Sequence, residues 1–153
     1  MLPTPVRYSL VSGAAEGRTP LTAFDQALLA AGIGNLNLLK VSSILPPGAV
    51  YAERLTIPPG SLLPVAYATM TSAVPGDLIA AAVAVGHGGL GEHGVIMETS
   101  GHFRQEEIEE RIKAMVEEAF AARGLMLSRL EVAAVSHRVQ HLGCVLAAVP
   151  LWY

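Results

Sequence analysis

Ser42 and Ser43 place two adjacent hydroxyl groups between an apolar segment and a pair of prolines, in the stretch GNLNLLKVSSILPP that covers residues 34–47. A buried hydroxyl without a hydrogen-bond partner costs about 1–3 kcal/mol, so two in succession require an explanation. Each hydroxyl could simply bond to a neighbouring backbone carbonyl. The alternative is chemical: the Oγ of Ser43 attacks the carbonyl carbon of Ser42, and the resulting ester eliminates to leave a pyruvoyl group on residue 43.

Asn37 carries an amide that could donate a hydrogen bond to the oxygen on which charge develops during such an acyl shift. The alternative is a strand-edge or turn asparagine that is bonded to backbone. Six residues of straight strand span roughly 20 Å, so Asn37 reaches Ser43 only if the strand bends or if a neighbouring protomer supplies one of the two. We therefore expect a site at a subunit interface.

Two carboxylates are also candidates. Glu98 follows Val95-Ile96-Met97, and burial at the end of this apolar strand would raise its pKa and let it deliver a proton to a substrate carbon. A strand-end glutamate that points to water is the alternative. Asp25 has Leu21, Leu28 and Leu29 as its helical neighbours, so it is expected on an apolar face, where a guanidinium could bind it bidentately. Its alternatives are a favourable charge in the early turns of a helix or a structural ion pair.

Residues 86–91 read GHGGLG, which matches the glycine spacing of a dinucleotide-binding turn. That fingerprint needs a helix next, whereas residues 95–98 predict a strand, so a flexible loop is the interpretation. The histidines at 87, 93, 102, 137 and 141 do not combine with cysteine or carboxylate into a metal-binding pattern, and no metal is expected.

The composition predicts one domain of 153 residues that forms an oligomer. Hydrophobic residues make up 52% of the chain and charged residues 15%, which suggests apolar surface covered by other subunits. The longest apolar run, 78–85, is too short to span a bilayer, and no signal peptide is recognisable. A formal charge of −3 without a dense basic cluster argues against nucleic acid as a partner. A single cysteine, Cys144, fits an inert core thiol in a reducing cytosol.

The sequence pattern predicts the elements that must position these residues. Strands are expected over 6–12, 35–44, 63–72, 78–85, 95–99, 130–137 and 142–150. A turn over 13–17 precedes a helix that starts at Thr19-Pro20 and ends near Gly32. The turn at 74–77 predicts antiparallel pairing between the strands on either side of it. A second helix over 104–123 has an apolar stripe and ends at Gly124. Strands outnumber helices, which favours an α+β domain with mainly antiparallel sheets.

Several stretches of the chain resemble the pyruvoyl-dependent arginine decarboxylases. They are SGAAEGRTPLTAFD at 12–25, the segment from Gly32 to Pro47, GVIME at 94–98, and the closing LGC at 142–144 and LWY at 151–153. The similarity spans nearly the whole chain, and the pattern Asn-x-Asn…Ser-Ser-Ile-x-Pro-Pro is long enough to be specific.

The resemblance implies a four-layer αββα sandwich that assembles as trimers. It implies a proenzyme that cleaves itself between Ser42 and Ser43 into a β chain of residues 1–42 and an α chain of residues 43–153. The covalent pyruvoyl group at Ser43 would replace pyridoxal phosphate. It would form a Schiff base with L-arginine, which loses CO2 to give agmatine for polyamine synthesis.

The resemblance also implies roles for individual residues. Ser42, Ser43, Asn37 and Glu98 would be catalytic, Asp25 would bind the substrate guanidinium, and Leu28 and Gly34 would line the pocket around its aliphatic part. Two alternatives stay open: the same chemistry on another amino acid, or a non-catalytic oligomeric protein that retains the fold.

Overall fold

A computed structural model describes residues 2–153 as two β-sheets and two helices, so the expected α+β class is confirmed. The strands are β1 Arg7–Tyr8, β2 Val11–Glu16, β3 Asn37–Lys40, β4 Ile44–Leu45, β5 Val50–Tyr51, β6 Leu62–Ser72, β7 Leu78–His87, β8 Gly94–Gly101, β9 Arg129–Arg138 and β10 Gly143–Trp152. The helices are α1 Pro20–Ala30 and α2 Gln105–Arg123. Most of the strand pairs are antiparallel.

The first sheet has six strands, and β10 is its central strand. β10 pairs with β6 on one side and with both β1 and β2 on the other. The short strands β3 and β5 are added in parallel to β6 and β1, respectively. Strand β3 therefore lies at one edge of this sheet, next to the start of β6.

The second sheet has four strands in the order β4-β8-β7-β9. The long strands β7 and β8 form an antiparallel hairpin, and β9 pairs antiparallel with the other side of β7. Strand β4, the two-residue continuation of the chain after Ser43, lies at the edge against the start of β8. The chain thus passes from an edge of one sheet to an edge of the other between Lys40 and Ile44.

Three clusters of buried side chains follow the alternation of the strands. Even-numbered residues of β7 pack against α2, and even-numbered residues of β10 pack against α1. Odd-numbered residues of both strands share a third cluster with each other and with β1 and β8; among them are Ile79, Ala81, Val83, Val145, Ala147 and Val149. Each helix therefore covers a different sheet.

Helix α1 begins with a capping box in which Thr19 and Thr22 exchange side-chain to backbone hydrogen bonds, with Pro20 in the first turn. It packs closely on β2 at Gly13, where an added Cβ would lie 2.4 Å from the carbonyl oxygen of Ala27. The predicted turn over 13–17 is therefore wrong. Glycine keeps this part of the chain in the strand because it allows the helix to approach.

Helix α2 agrees with its predicted bounds and buries Ile108, Ile112, Val116, Ala119 and Phe120. Two other expectations are wrong. The strand predicted over 35–44 is interrupted after Lys40, because the chain changes sheets there. The strands on either side of the turn at 74–77 do not pair, because this turn also leads from one sheet to the other.

No helix within residues 2–153 is long and apolar enough to cross a membrane.

Candidate active site

Ser42 and Ser43 lie in the segment that joins the two sheets. Val41 still belongs to the first sheet, since its N–H donates to the carbonyl of Val65 at 3.1 Å. Ser43 already belongs to the second, since its carbonyl accepts the N–H of Ile96 at 2.7 Å. The side chain of Ser42 is exposed and that of Ser43 is half-buried. The peptide bond between them is thus held at both ends by different sheets and is accessible in the middle.

Glu98 lies two residues beyond Ile96 on β8, and therefore on the same face of that strand. Ile96 belongs to the cluster between the sheets, so Glu98 points to the space that the sheets share. Two residues of strand correspond to about 7 Å, which places Glu98 close to Ser43 along β8. The structure thus brings together two of the predicted residues that are 55 positions apart in the chain.

The carboxyl group of Glu98 has an unusual environment. Its Oε2 atom is buried and has no hydrogen-bond partner. Burial raises the pKa of Glu98, and the positive charge of Lys40 opposes this effect. A carboxyl group with a raised pKa and an unused oxygen is suited to hold and deliver a proton.

Lys40, whose positive charge opposes the rise in the pKa of Glu98, was not singled out by the sequence analysis. It is the last residue of β3, and its Nζ atom lies 4.6 Å from the centroid of the Tyr67 ring on β6. Tyr67 in turn packs against Phe24 of α1, with ring centroids 6.4 Å apart. The available sequence signal was a single lysine within an apolar segment, two residues before Ser42.

Asn37 does not join this group within one protomer. It is exposed at the start of β3, where its Nδ2 donates to the carbonyl of Gly60 at 2.8 Å and its backbone N–H donates to Ser61. The chain from Asn37 to Val41 runs straight beside β6. The Cα atoms of Asn37 and Val41 are therefore about 13 Å apart. Asn37 is therefore at one end of β3 and Ser43 lies beyond the other.

Asp25 does not lie on the buried face of α1, contrary to expectation. The buried residues of this helix are Ala23, Ala27 and Leu28, whereas Asp25 is exposed. Its apolar neighbours Leu21 and Leu29 are exposed as well, by 75% and 45%. The leucines at i−4 and i+4 thus form an outward-facing apolar strip with Asp25 between them.

The two remaining predicted residues occupy structural positions near α1. Leu28 is buried between the helix and the first sheet, together with Leu63 and Leu146. Gly34 follows the helix, and an added Cβ would lie 2.6 Å from a side-chain carbon of Leu29 and 2.8 Å from its backbone nitrogen. Any larger residue at position 34 would displace the end of α1.

A depression of about 260 Å³ adjoins Ser42. Its walls are mostly apolar, and Ser42 contributes a hydroxyl group to them. The other residues that line it are Leu2, Pro3, Pro5, Val41, Ile44, Pro46, Pro64, Leu151 and Tyr153. An open apolar hollow of this kind beside Ser42 can exclude water from the adjacent peptide bond when another surface covers it.

The glycine-rich segment leads into strand β8 and not into a helix, as expected for a loop. His87 lies at the start of this glycine-rich segment. Its Nε2 atom is hydrogen-bonded to Glu131 at 2.5 Å and contacts the Tyr8 hydroxyl at 3.1 Å. His137 bonds to Glu16 at 2.6 Å. Within the described residues, 2–153, no group of three or more His, Cys, Asp or Glu side chains is arranged to hold a metal ion.

Comparisons with known proteins concern the chain as a whole. The sequence model of a family described as pyruvoyl-dependent arginine decarboxylase matches residues 7–153. A protein of Methanocaldococcus jannaschii named pyruvoyl-dependent arginine decarboxylase is 46% identical over 150 residues, which cover 97% of this chain and 91% of that protein.

Two further relatives carry the same name. One from Methanococcus maripaludis strain C7 is 41% identical over 150 residues, covering 97% of this chain and 92% of its own. One from Pyrococcus furiosus is 44% identical over 131 residues, covering 84% and 83%. With a match from residue 7 to the last residue and identities above 40%, this chain belongs to the pyruvoyl-dependent arginine decarboxylase family.

Proposed function

We propose that this protein is a self-processing lyase that converts L-arginine into agmatine and CO2. Its family membership supplies the class of reaction and of prosthetic group. The observation that carries the proposal for these residues is the buried Oε2 of Glu98, which has no partner and lies beside the accessible Ser42–Ser43 peptide. A structural glutamate would have used that oxygen in a hydrogen bond.

The first reaction is cleavage of the chain. The Oγ of Ser43 bonds to the carbonyl carbon of Ser42 while the C–N bond breaks, which converts the amide to an ester. Elimination then releases residues 1–42 with a carboxylate at Ser42. Water hydrolyses the unsaturated residue that is left at position 43, with loss of ammonia, to the pyruvoyl group. The fixed ends of the segment 41–43 favour this reaction because they restrict the motion of both serines.

The residues around Ser43 fit a pyruvoyl group. Position 43 is half-buried at a sheet edge, and burial raises the pKa of Glu98, which lies on the strand that accepts the backbone of residue 43 as a partner. Such a group supplies a carbonyl that binds the substrate amine and accepts the electrons left when CO2 departs. Protonated Glu98 delivers the proton to the α-carbon of the product, since it is the acid closest to position 43 along β8.

The complete site is proposed to lie between protomers of a trimer. Exposed apolar side chains flank both parts of this proposed site. Leu39 and Ile44 lie beside the serines, and Leu21 and Leu29 lie beside Asp25. Asn37 and Ser43 are too far apart within one chain to act together, so a neighbouring protomer brings Asn37 to the oxygen of Ser42, where it stabilises the developing charge. The same contact covers the apolar depression beside Ser42.

The substrate side chain is proposed to extend to α1 of the neighbouring protomer. The exposed carboxylate of Asp25 binds the guanidinium through two hydrogen bonds. Leu28 and Gly34 line the passage for the methylene groups, Leu28 by supporting the helix from its buried side and Gly34 by keeping the turn after α1 narrow. The two chains of each protomer remain one domain after cleavage because β1 and β2 of the first chain pair with β10 of the second, and β3 pairs with β6.

The order of layers is proposed to be α1, first sheet, second sheet, α2. The support is the alternation along β7 and β10, in which one set of residues packs on a helix and the other set packs between the sheets. The cytosol is the proposed compartment, because the single cysteine is a buried free thiol.

Intact mass analysis with N-terminal sequencing tests the processing step. The expected result is two fragments, 1–42 and a fragment from 43 onward with a blocked, amine-free start. Ser43→Ala is the matched control, and it should remain one chain. A single uncleaved chain in the wild-type protein after prolonged incubation would support a non-catalytic oligomer instead.

Release of labelled CO2 tests the substrate. L-Arginine should be the preferred amino acid, and Asp25→Asn should cleave normally while its KM for arginine rises about tenfold or more. Unchanged arginine affinity in Asp25→Asn would remove the guanidinium role of Asp25. Faster turnover of a different amino acid would overturn the choice of substrate while leaving the processing chemistry in place.

A further inference from the structure

A cavity of about 450 Å³ lies at the C-terminal end of helix α1, on the face of the first sheet that this helix covers. Ala30, Ala31 and Gly32 form one wall, and the loop between β5 and β6 forms another. None of the residues assigned above to catalysis or to substrate binding lines this cavity. It is therefore a second candidate site.

The end of α1 presents free hydrogen-bond acceptors to this cavity. Within the part of the chain that the structure describes, the carbonyls of Ala30 and Ala31 accept no backbone hydrogen bond. The last turn of the helix contains no basic residue that could compensate them. The C-terminal end of a helix carries a partial negative charge, so this wall is suited to a cationic group.

Two charged side chains of the β5–β6 loop, Glu53 and Arg54, also line the cavity. Both are exposed, and neither forms an ion pair within residues 2–153. A guanidinium such as that of Arg54 binds a carboxylate through two parallel hydrogen bonds, and the carboxylate of Glu53 can accept from a cation. With the end of α1, the cavity has two negative positions and one positive position.

The remaining walls are mostly aliphatic. They consist of Val11, Ile33, Leu36, Leu55, Ile57 and Pro150. Ser9 also lines the cavity; it is only 2% exposed, and its Oγ atom makes one long contact of 3.5 Å with the carbonyl oxygen of Glu53. Its buried hydroxyl therefore retains capacity to accept a hydrogen bond from a ligand. Aliphatic walls with a few polar groups are typical of sites for small molecules that have an apolar body.

We propose that this cavity is a second, non-catalytic binding site for a basic α-amino acid, with L-arginine as the ligand. The α-ammonium group binds at the carbonyls of Ala30 and Ala31, the α-carboxylate binds Arg54, and the guanidinium binds Glu53. The methylene groups of the ligand lie along the aliphatic walls. The choice of arginine among the basic amino acids rests on the proposed function, whereas the charges of the site select the class of ligand.

The test measures L-arginine binding by NMR in full-length Ser43→Ala protein, which cannot form a Schiff base. The δ1 methyl groups of isoleucine are labelled with ¹³C. Ile33 and Ile57 report on the cavity, whereas Ile44 reports on the depression beside Ser42. Replacing each of these isoleucines by valine assigns its signal. L-Arginine should shift the Ile33 and Ile57 signals in a saturable manner.

Substitutions at the cavity should weaken this binding. Arg54→Met and Glu53→Gln should each lower the affinity measured at Ile33 and Ile57 by about tenfold, because a charge-assisted hydrogen-bonded pair is lost. Both side chains are exposed, so the variants are expected to fold. The matched controls are Arg111→Met and Glu117→Gln on α2, which covers the other sheet, and they should leave the affinity unchanged.

Two further ligands test the charge pattern. Agmatine lacks the carboxylate that Arg54 would bind, and L-leucine lacks the second cation that Glu53 would bind. Each should bind at the cavity about tenfold more weakly than L-arginine. Equal affinities of agmatine and L-arginine would overturn the assignment to an amino acid.

The absence of shifts at Ile33 and Ile57 with L-arginine up to about 20 mM would overturn the inference, since weaker binding falls outside specific recognition. An unchanged affinity in Arg54→Met would do the same. Asp25→Asn should leave the shifts at the cavity as they are, and their loss in this variant would place the arginine in the catalytic site instead. Failure of the proposed function would show differently, as a wild-type chain that remains uncleaved or inactive.

Discussion

Two partly buried glutamates, Glu16 and Glu98, differ in how their carboxyl groups are hydrogen-bonded. Glu16 ends β2, and its Oε1 accepts the backbone N–H groups of His141 at 2.7 Å and Leu142 at 3.2 Å. Its Oε2 accepts Nε2–H of His137 at 2.6 Å. Glu98 has a buried Oε2 without any partner. One carboxyl group is fully used by the structure, and the other retains an oxygen that can act on a substrate.

The pKa values of the two groups differ in the direction that this contrast requires. Partial burial opposes ionisation of Glu16, but the N–H of His141, the imidazole of His137 and further backbone N–H groups outweigh it and lower its pKa to about 2. Burial raises the pKa of Glu98, with only Lys40 acting against it. Hydrogen bonds to the charged form therefore identify the structural carboxylate, and their absence identifies the candidate acid.

The largest expected effect is on catalysis. Glu98→Gln should lower kcat for CO2 release from arginine by about 10²–10⁴-fold, because the amide has no proton to deliver. Glu16→Gln should change kcat by less than about threefold, since the hydrogen bonds of Glu16 go to His137 of β9 and to the turn before β10, not to the serine pair. Rates are compared per cleaved chain, which a denaturing gel measures. Comparable activity losses in the two variants would erase the distinction between the two carboxyl groups.

The next largest effect is on stability, where Glu16→Gln should be the more damaging of the two substitutions. At pH 7, Glu16→Gln should lower the free energy of unfolding by about 1–3 kcal/mol, because the charge-assisted hydrogen bonds are lost. Glu98→Gln should leave it unchanged or raise it, because a buried carboxyl without partners is replaced by a neutral amide. Urea unfolding in a Ser43→Ala background at one protomer concentration measures both without chain cleavage.

The contributions of the two glutamates to the free energy of unfolding should also depend on pH with opposite signs. For Glu16 the ordinary pKa of 4.5 falls to about 2 in the fold, so its stabilisation is complete above pH 4.5 and is lost as pH falls towards 2. For Glu98 the pKa is raised, so its favourable contribution is complete below 4.5 and is lost as pH rises through the raised value. Difference curves against the Gln variants should therefore slope in opposite directions. Parallel curves would contradict the assignment.

The sequence was sufficient for features that depend on local chemistry. The bounds of α2 follow from its apolar stripe and its final glycine, and the start of α1 follows from Thr19 and Pro20. The pairing of strands could not be obtained in this way. Whether the apolar run from Asn37 to Leu45 stays in one sheet depends on Val95 and Ile96 of β8, which lie some 50 residues later.

The same reasoning applies to the candidate site. Ser43 and Glu98 were both recognised, and the structure bonds the carbonyl of Ser43 to Ile96, two residues before Glu98 on β8. Asp25 was assigned to an apolar face because its neighbours are leucines, but two of those leucines are exposed in the single chain. Lys40 was not singled out because the effect of its charge on the pKa of Glu98 exists only in the folded chain.

The smallest expected effect separates the two histidines near Glu16. His137→Gln removes one side-chain hydrogen bond to Glu16 and should cost about 0.5–1.5 kcal/mol in unfolding free energy, with the kinetic constants unchanged. His141→Gln is the control: it keeps the backbone N–H that Glu16 accepts, and its exposed side chain can be lost at a cost within about 0.5 kcal/mol. Equal costs for the two would mean that the imidazole of His137 adds nothing to the backbone donors. A fall in kcat in His137→Gln would instead connect Glu16 to catalysis.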